Sequence, residues 1–192
     1  MSLLPKIIDN QRKKLIDVFN TIASDYKQVS IATGYWDLLG TQMIIDEFSR
    51  YKKIRLLIGR EPLIPRHKIL EPEPDYPDKD FFFDLERLQP TQELKNLVQQ
   101  IKGLIHQGVL EVKVYRRSFL YAKCYVFGNY DSDKTIGIIG SSNFTKNGLT
   151  HNTELNALES DHRIVTFSPK TKEQEVGHLY WFDQLWGDEK TE

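Results

Sequence analysis

Apolar side chains recur at spacings of three and four at Ile8, Leu15, Val18, Phe19, Ile22 and Tyr26, which predicts a helix with one buried face. VSIATGYW (29–36) then reads as a buried strand that ends in a turn at Gly34. Asp37 is placed to cap a second helix carrying Met43, Ile44, Ile45 and Phe48. KIRLLIG (53–59) is a second buried strand, stopped by Gly59. Strand, helix, strand in this order predicts a parallel crossover unit.

The pattern is lost over residues 61–90, where six of the eight prolines fall. Proline fixes φ and removes a backbone donor, so regular structure is not expected over 62–79. Residues 61–90 read as a loop excursion within one domain spanning 1–192, with 62–80 expected to be poorly ordered or held by a partner. After Pro90, Leu94, Leu97, Val98, Ile101, Leu104 and Ile105 form the inward face of a helix that Gly108 ends. LEVKVYR (110–116) alternates as a strand. FLYAKCYVFG (119–128) and KTIGIIGS (134–141) flank NYDSD, which predicts a hairpin. TELNALE (153–159) is a further strand, and 168–186 a closing helix with Ser168 as cap and Pro169 at its first position. The fold class expected is α/β, a mixed sheet with helices on both faces.

Composition narrows the function classes. Of 192 residues, 40% are hydrophobic and 28% charged, ordinary for a globular domain. No apolar run approaches the roughly 18 residues of a membrane span, and the N-terminus lacks a secretion-signal pattern. The single cysteine, Cys124, cannot form an internal disulfide, which fits a cytoplasmic setting. Net charge is −1, but residues 93–150 carry eight basic and four acidic side chains, a local surface suited to phosphates. His67, His106, His151, His162 and His178 show no metal-ligand spacing, and no Walker-type loop is present. No metal, cofactor or ATP hydrolysis is therefore expected of this chain.

The candidate chemistry sits in Tyr121-Ala-Lys123, Gly140-Ser141-Ser142-Asn143-Phe144-Thr145 and Asn152-Thr153-Glu154-Leu155-Asn156. Along a strand, residues two apart share a face, so Tyr121 and Lys123 are expected to point together. Gly140 lets the backbone approach a ligand. Lys123, Ser141 and Asn143 then offer an ammonium, a hydroxyl and an amide, a donor set for a tetrahedral oxyanion such as phosphate. Taken singly, each has a plainer reading: a solvated lysine, two turn residues and, in Glu154, a surface carboxylate. His151, near Glu154 in sequence, is a further neighbour of this region.

These residues resemble the phospholipase D superfamily, whose pattern is His-x-Lys, then Gly-Ser-x-(x-)Asn, then a Glu about ten residues on. The Asn-Phe-Thr ending, the following Asn-x-Glu, and the ATGYW and LLIG segments look like its nuclease and helicase-associated branch. The resemblance covers about residues 5–186. It implies that Lys123, Ser141 and Asn143 bind the scissile phosphate and that Glu154 accepts a hydrogen bond from the catalytic imidazole. It implies a homodimer as well, since one motif copy supplies half a site.

The departure is Tyr121, which stands where the family has its nucleophilic histidine. An imidazole titrates near pH 6.5 and serves as nucleophile or acid. A phenol titrates near 10 and is protonated at neutrality. In a symmetric dimer both histidines would be missing together. The reading is therefore a DNA-phosphodiester-binding domain with impaired catalysis, the N-terminal piece of a larger helicase or restriction protein. The alternatives are an active nuclease using a variant mechanism, or a non-catalytic dimerisation module with a vestigial anion pocket.

Overall fold

Seven strands form one mixed sheet in the computed structural model, which describes residues 4–59, 91–132, 135–160, 166–167, 174–175 and 177–192. The strands are β1 (Ile7–Ile8), β2 (Gln28–Thr33), β3 (Lys53–Gly59), β4 (Leu110–Tyr115), β5 (Lys123–Phe127), β6 (Ile136–Gly140) and β7 (Asn156–Ser160). Their order is β1-β7-β6-β5-β2-β3-β4. β2, β3 and β4 run parallel, and β5, β6, β7 and β1 add antiparallel neighbours beside β2. The expected crossover unit and hairpin are both present. The Pro-rich segment 61–90 lies outside the described residues.

Period-2 alternation sorts the sheet into two cores. Val29, Ile31, Ile54, Leu56, Tyr125, Phe127 and Ile138 face one side. They meet helices α1 (Leu15–Ala23), α2 (Leu38–Gln42), α3 (Ile45–Phe48) and α4 (Gln92–His106). Phe19 of α1 lies edge-on to Phe127, ring centroids 4.9 Å apart. Ala32, Leu57, Cys124 and Val126 face the other side and meet Leu179 and Phe182 of α6 (His178–Trp186). Between these helices in sequence comes α5 (Lys146–Thr150). Helices thus cover both faces, as expected. Among the described residues, no helix is long and apolar enough to cross a membrane.

Several assignments differ from the periodic reading. The first helix begins at Leu15, because Asp9 and Asn10 form a turn and leave Ile8 in a strand. Asn10 has φ 60°, a left-handed conformation that asparagine tolerates, and its Oδ1 accepts the Leu15 N–H in place of an N-cap side chain. Ile105 is 45% exposed, on the rim of the α4 stripe rather than in it.

The closing helix starts at His178, and Gln174–Glu175 (β9) pair instead with Thr166–Phe167 (β8). Upstream of Leu179, KTKEQEVG offers no apolar stripe for a helix to bury. Ser168 and Pro169 lie outside the described residues. Finally, β5 starts at Lys123 rather than 119, since its pairing ends at Lys123↔Gly140 on one side and Cys124↔Ala32 on the other. Leu120 turns inward against Gly59, where an added Cβ would meet the Leu120 Cβ at 2.4 Å.

Candidate functional site

The end of β2, the start of β5, the end of β6 and the start of β7 meet at one end of the sheet. All five sequence-predicted residues lie at or just beyond these strand ends. Lys123 pairs across the ladder with Gly140, so the lysine and the turn that follows β6 are neighbours. Gly140 is required there by close approach: a Cβ would come within 2.2 Å of the Leu155 carbonyl oxygen.

The turn Ser141–Phe144 is fixed from several directions. Ser142 is fully buried; its N–H donates to Asn156 Oδ1 at 3.2 Å, and its Oγ accepts from Asn156 Nδ2 at 2.9 Å. The buried Tyr125 hydroxyl donates to the Ser142 carbonyl at 2.9 Å. Burial holds that phenol's pKa well above its usual value, so it stays a donor. The Phe144 N–H donates to Thr33 Oγ1 at 2.9 Å, and the Phe144 ring is fully buried beneath the turn. Asp37, expected only as a helix cap, does cap α2 through the Gly40 N–H, and its carboxylate also accepts the Lys146 N–H at the start of α5. Asn10 reaches the far side, donating from Nδ2 to the carbonyls of Gly148 (2.9 Å) and Asn152 (3.2 Å).

Each candidate side chain has a defined setting. Asn143 Oδ1 accepts the Tyr35 N–H at 3.0 Å. With its oxygen held by the backbone, the amide presents its NH2 hydrogens as donors. Lys123 is 8% exposed and donates from Nζ to the Tyr121 carbonyl at 2.9 Å. Ser141 Oγ donates to Glu154 Oε2 and accepts from the Leu155 N–H at 3.0 Å. A serine has one proton, so this hydroxyl gives it to a carboxylate here, and must turn from Glu154 to donate to an anion.

Tyr121 departs from the strand expectation. It precedes β5, its side chain is 64% exposed while Lys123 is buried, and the two do not share a strand face. Its ring lies edge-on to that of Phe119, centroids 6.1 Å apart. Glu154 likewise precedes β7 rather than lying within it. His151 closes α5 and pairs through Nδ1 with Thr150 Oγ1. Among the described residues, no group of three or more His, Cys, Asp or Glu side chains is placed to hold a metal ion.

Sequence reasoning missed Asn10, Thr33, Tyr125 and Asn156 as supports of the site. An Asp-Asn pair just before a helix was the available signal for Asn10. Tyr125 read only as a strand aromatic, since a side chain bonded to a distant carbonyl leaves no mark in local spacing.

A mixed sheet with an anion-type donor set at the end of its strands defines a class that comparison identifies. Residues 18–170 match the family described as cardiolipin synthase, PLD-like domain, and the chain belongs to this phospholipase D-like family. Its fold is phospholipase D-like. No curated protein matches the chain.

Among solved structures, it is similar to NucT from Helicobacter pylori, with 16% identity over 81% of this chain and 83% of that one, TM-score 0.44. Phosphatidylserine synthase of Haemophilus influenzae is similar at 14% identity over 98% of this chain, TM-score 0.49. A mutant yeast tyrosyl-DNA phosphodiesterase 1 is similar at 9% identity over 70%, TM-score 0.39. The matches span 40% of the synthase chain and 25% of the yeast chain.

Proposed function

We propose that this chain recognises DNA phosphodiesters through Lys123, Ser141 and Asn143, and that Tyr121 in the nucleophile position leaves it catalytically impaired. The observation that carries the reading is the fixing of the Ser141–Asn143 turn by Asn156, Tyr125 and Thr33 beside a buried lysine. A surface turn without ligand duty has no need of so many buried partners. In this reading an entering phosphate takes charge-assisted contacts from Lys123 and the Asn143 amide, and draws the Ser141 proton away from Glu154. Glu154 is then free to orient a group at position 121.

A phenol at position 121 stands in place of the imidazole that serves as nucleophile and acid in the resembled superfamily. The single motif copy supports a homodimer with the two sites facing one cleft. The resemblance of the Gly-Ser-Ser-Asn-Phe-Thr block to the helicase-associated branch supports a place in a larger helicase or restriction protein. Titration with inorganic phosphate, read by thermal shift and paired with sedimentation, tests this. Saturable stabilisation that Lys123→Ala weakens, in a dimeric species, is expected. Stabilisation unchanged in Lys123→Ala, or a strict monomer at about tens of micromolar, overturns the shared anion site.

A further inference from the structure

Three large hydrophobic side chains exposed among the described residues flank the candidate anion donors. Phe119 is 50% exposed, Tyr121 64% and Leu155 64%. They are not scattered. The backbone of Leu155 holds Ser141, and the carbonyl of Tyr121 holds the Lys123 ammonium. Phe119 and Tyr121 form a pair with an interplanar angle of 61°. Rings at that angle cannot sandwich one ligand, but each can present a face to a separate flat group.

We propose that Phe119 and Tyr121 are a stacking platform for unpaired bases, so that the strand taken at the anion site is single-stranded. This rests on the phosphodiester reading above and names its substrate class. Base–aromatic stacking tolerates any sequence because every base has a π-face. In a duplex those faces are covered by neighbouring bases, and a platform beside the phosphate site gains nothing from them. Arg116 and Arg117, just upstream, do not supply the extra contact in this structure. Their guanidinium groups are engaged by Glu192 at 2.6 Å and Asp188 at 2.8 Å. A lipid occupant is disfavoured, since acyl chains need a continuous apolar patch and two rings plus one leucine are a small one.

The test uses fluorescence anisotropy with a short labelled oligothymidylate, an abasic strand of equal length and charge, and a duplex. Phe119 is half exposed, so Phe119→Ala should fold normally. The wild-type chain is expected to bind the base-bearing strand about five- to a hundredfold more tightly than the abasic strand. Phe119→Ala should lose much of that preference, Phe119→Trp should keep it, and inorganic phosphate should bind all three alike.

Equal affinity for base-bearing and abasic strands, or for single strand and duplex, with phosphate still bound, overturns the platform alone. Loss of dimerisation in Phe119→Ala, or Phe119-dependent capture of phosphatidylglycerol vesicles in place of oligonucleotide, overturns it in favour of a self-association or lipid face. Failure to bind phosphate or any strand removes the phosphodiester reading as well.

Discussion

The Tyr125 hydroxyl and the Ser142 carbonyl oxygen, 17 residues apart in sequence, meet at 2.9 Å inside the protein. One strand of the sheet thereby supports the turn that carries Ser141 and Asn143. Tyr125→Phe keeps the ring in its aromatic cluster with Phe19 and Phe144 but leaves a buried carbonyl without this donor. The expected cost is about 1–2 kcal/mol in chemical denaturation. Phosphate affinity should fall with it, because the turn loses its support. Unchanged stability would mean that the carbonyl finds another donor.

Glu154 accepts the hydroxyl proton of Ser141. It therefore competes with an incoming anion both for that donor and by its charge. Glu154→Gln is expected to tighten phosphate or sulfate binding roughly two- to fivefold, the scale of a partly solvated charge interaction. Isothermal titration at fixed ionic strength measures this. Weaker binding in the variant would instead make Glu154 a support of the donor set.

In the proposed homodimer, Tyr121→His would place an imidazole in both halves at once. Hydrolysis of a generic phosphodiester, such as bis-p-nitrophenyl phosphate, should rise at least about tenfold, with a bell-shaped pH profile near neutrality. If the unaltered chain cleaves and Tyr121→Phe abolishes cleavage, the phenol is itself the nucleophile. If Tyr121→His binds phosphate and stays inert, the site serves binding alone.

Cys124 is 2% exposed, and burial pushes its thiol from about 9 up to about 12. The folded state thus keeps its proton at pH values where the unfolded chain releases it. Stability from this group is complete below about pH 9 and is lost as pH rises toward 12. At pH 8 a thiol reagent should modify Cys124 only at the rate of unfolding, and denaturant should release rapid reaction. Fast labelling of the native chain would show that the strand opens locally.

The sequence revealed what depends on local pattern. β2, β3 and the β5–β6 hairpin follow from apolar runs and turn residues, and the Gly140–Asn143 turn follows from residue types that few other settings require together. It did not reveal where β5 begins. Tyr121 and Lys123 alternate as strand residues do, but strand structure needs a pairing partner, and β2 and β6 both end before position 121 is reached. The first helix was overextended for a similar reason. Ile8 fits the helical period of Leu15 and Val18, yet the Asp9–Asn10 turn prevails because the Asp9 carboxylate takes the N–H groups of Gln11 and Arg12. Backbone hydrogen bonds, Arg12's first, hold that carboxyl down at about 2. The role of Asn156 was hidden because its partners, Ser142 and Ile8, lie 14 and 148 positions away.

Those separations bear on how the site comes into being. The bonds that set the turn join Tyr35 to Asn143 across 108 positions, Asn10 to Gly148 across 138, and Asn156 to Ile8 across 148. Contacts this remote form only after long loops have closed, so the candidate site should be among the last features to mature as the chain folds. A fragment lacking residues 1–12 should retain much of the central sheet while its Ser141–Asn143 turn loses register. An anion taken by Lys123, Ser141 and Asn143 would add its binding energy to the stability of the fold.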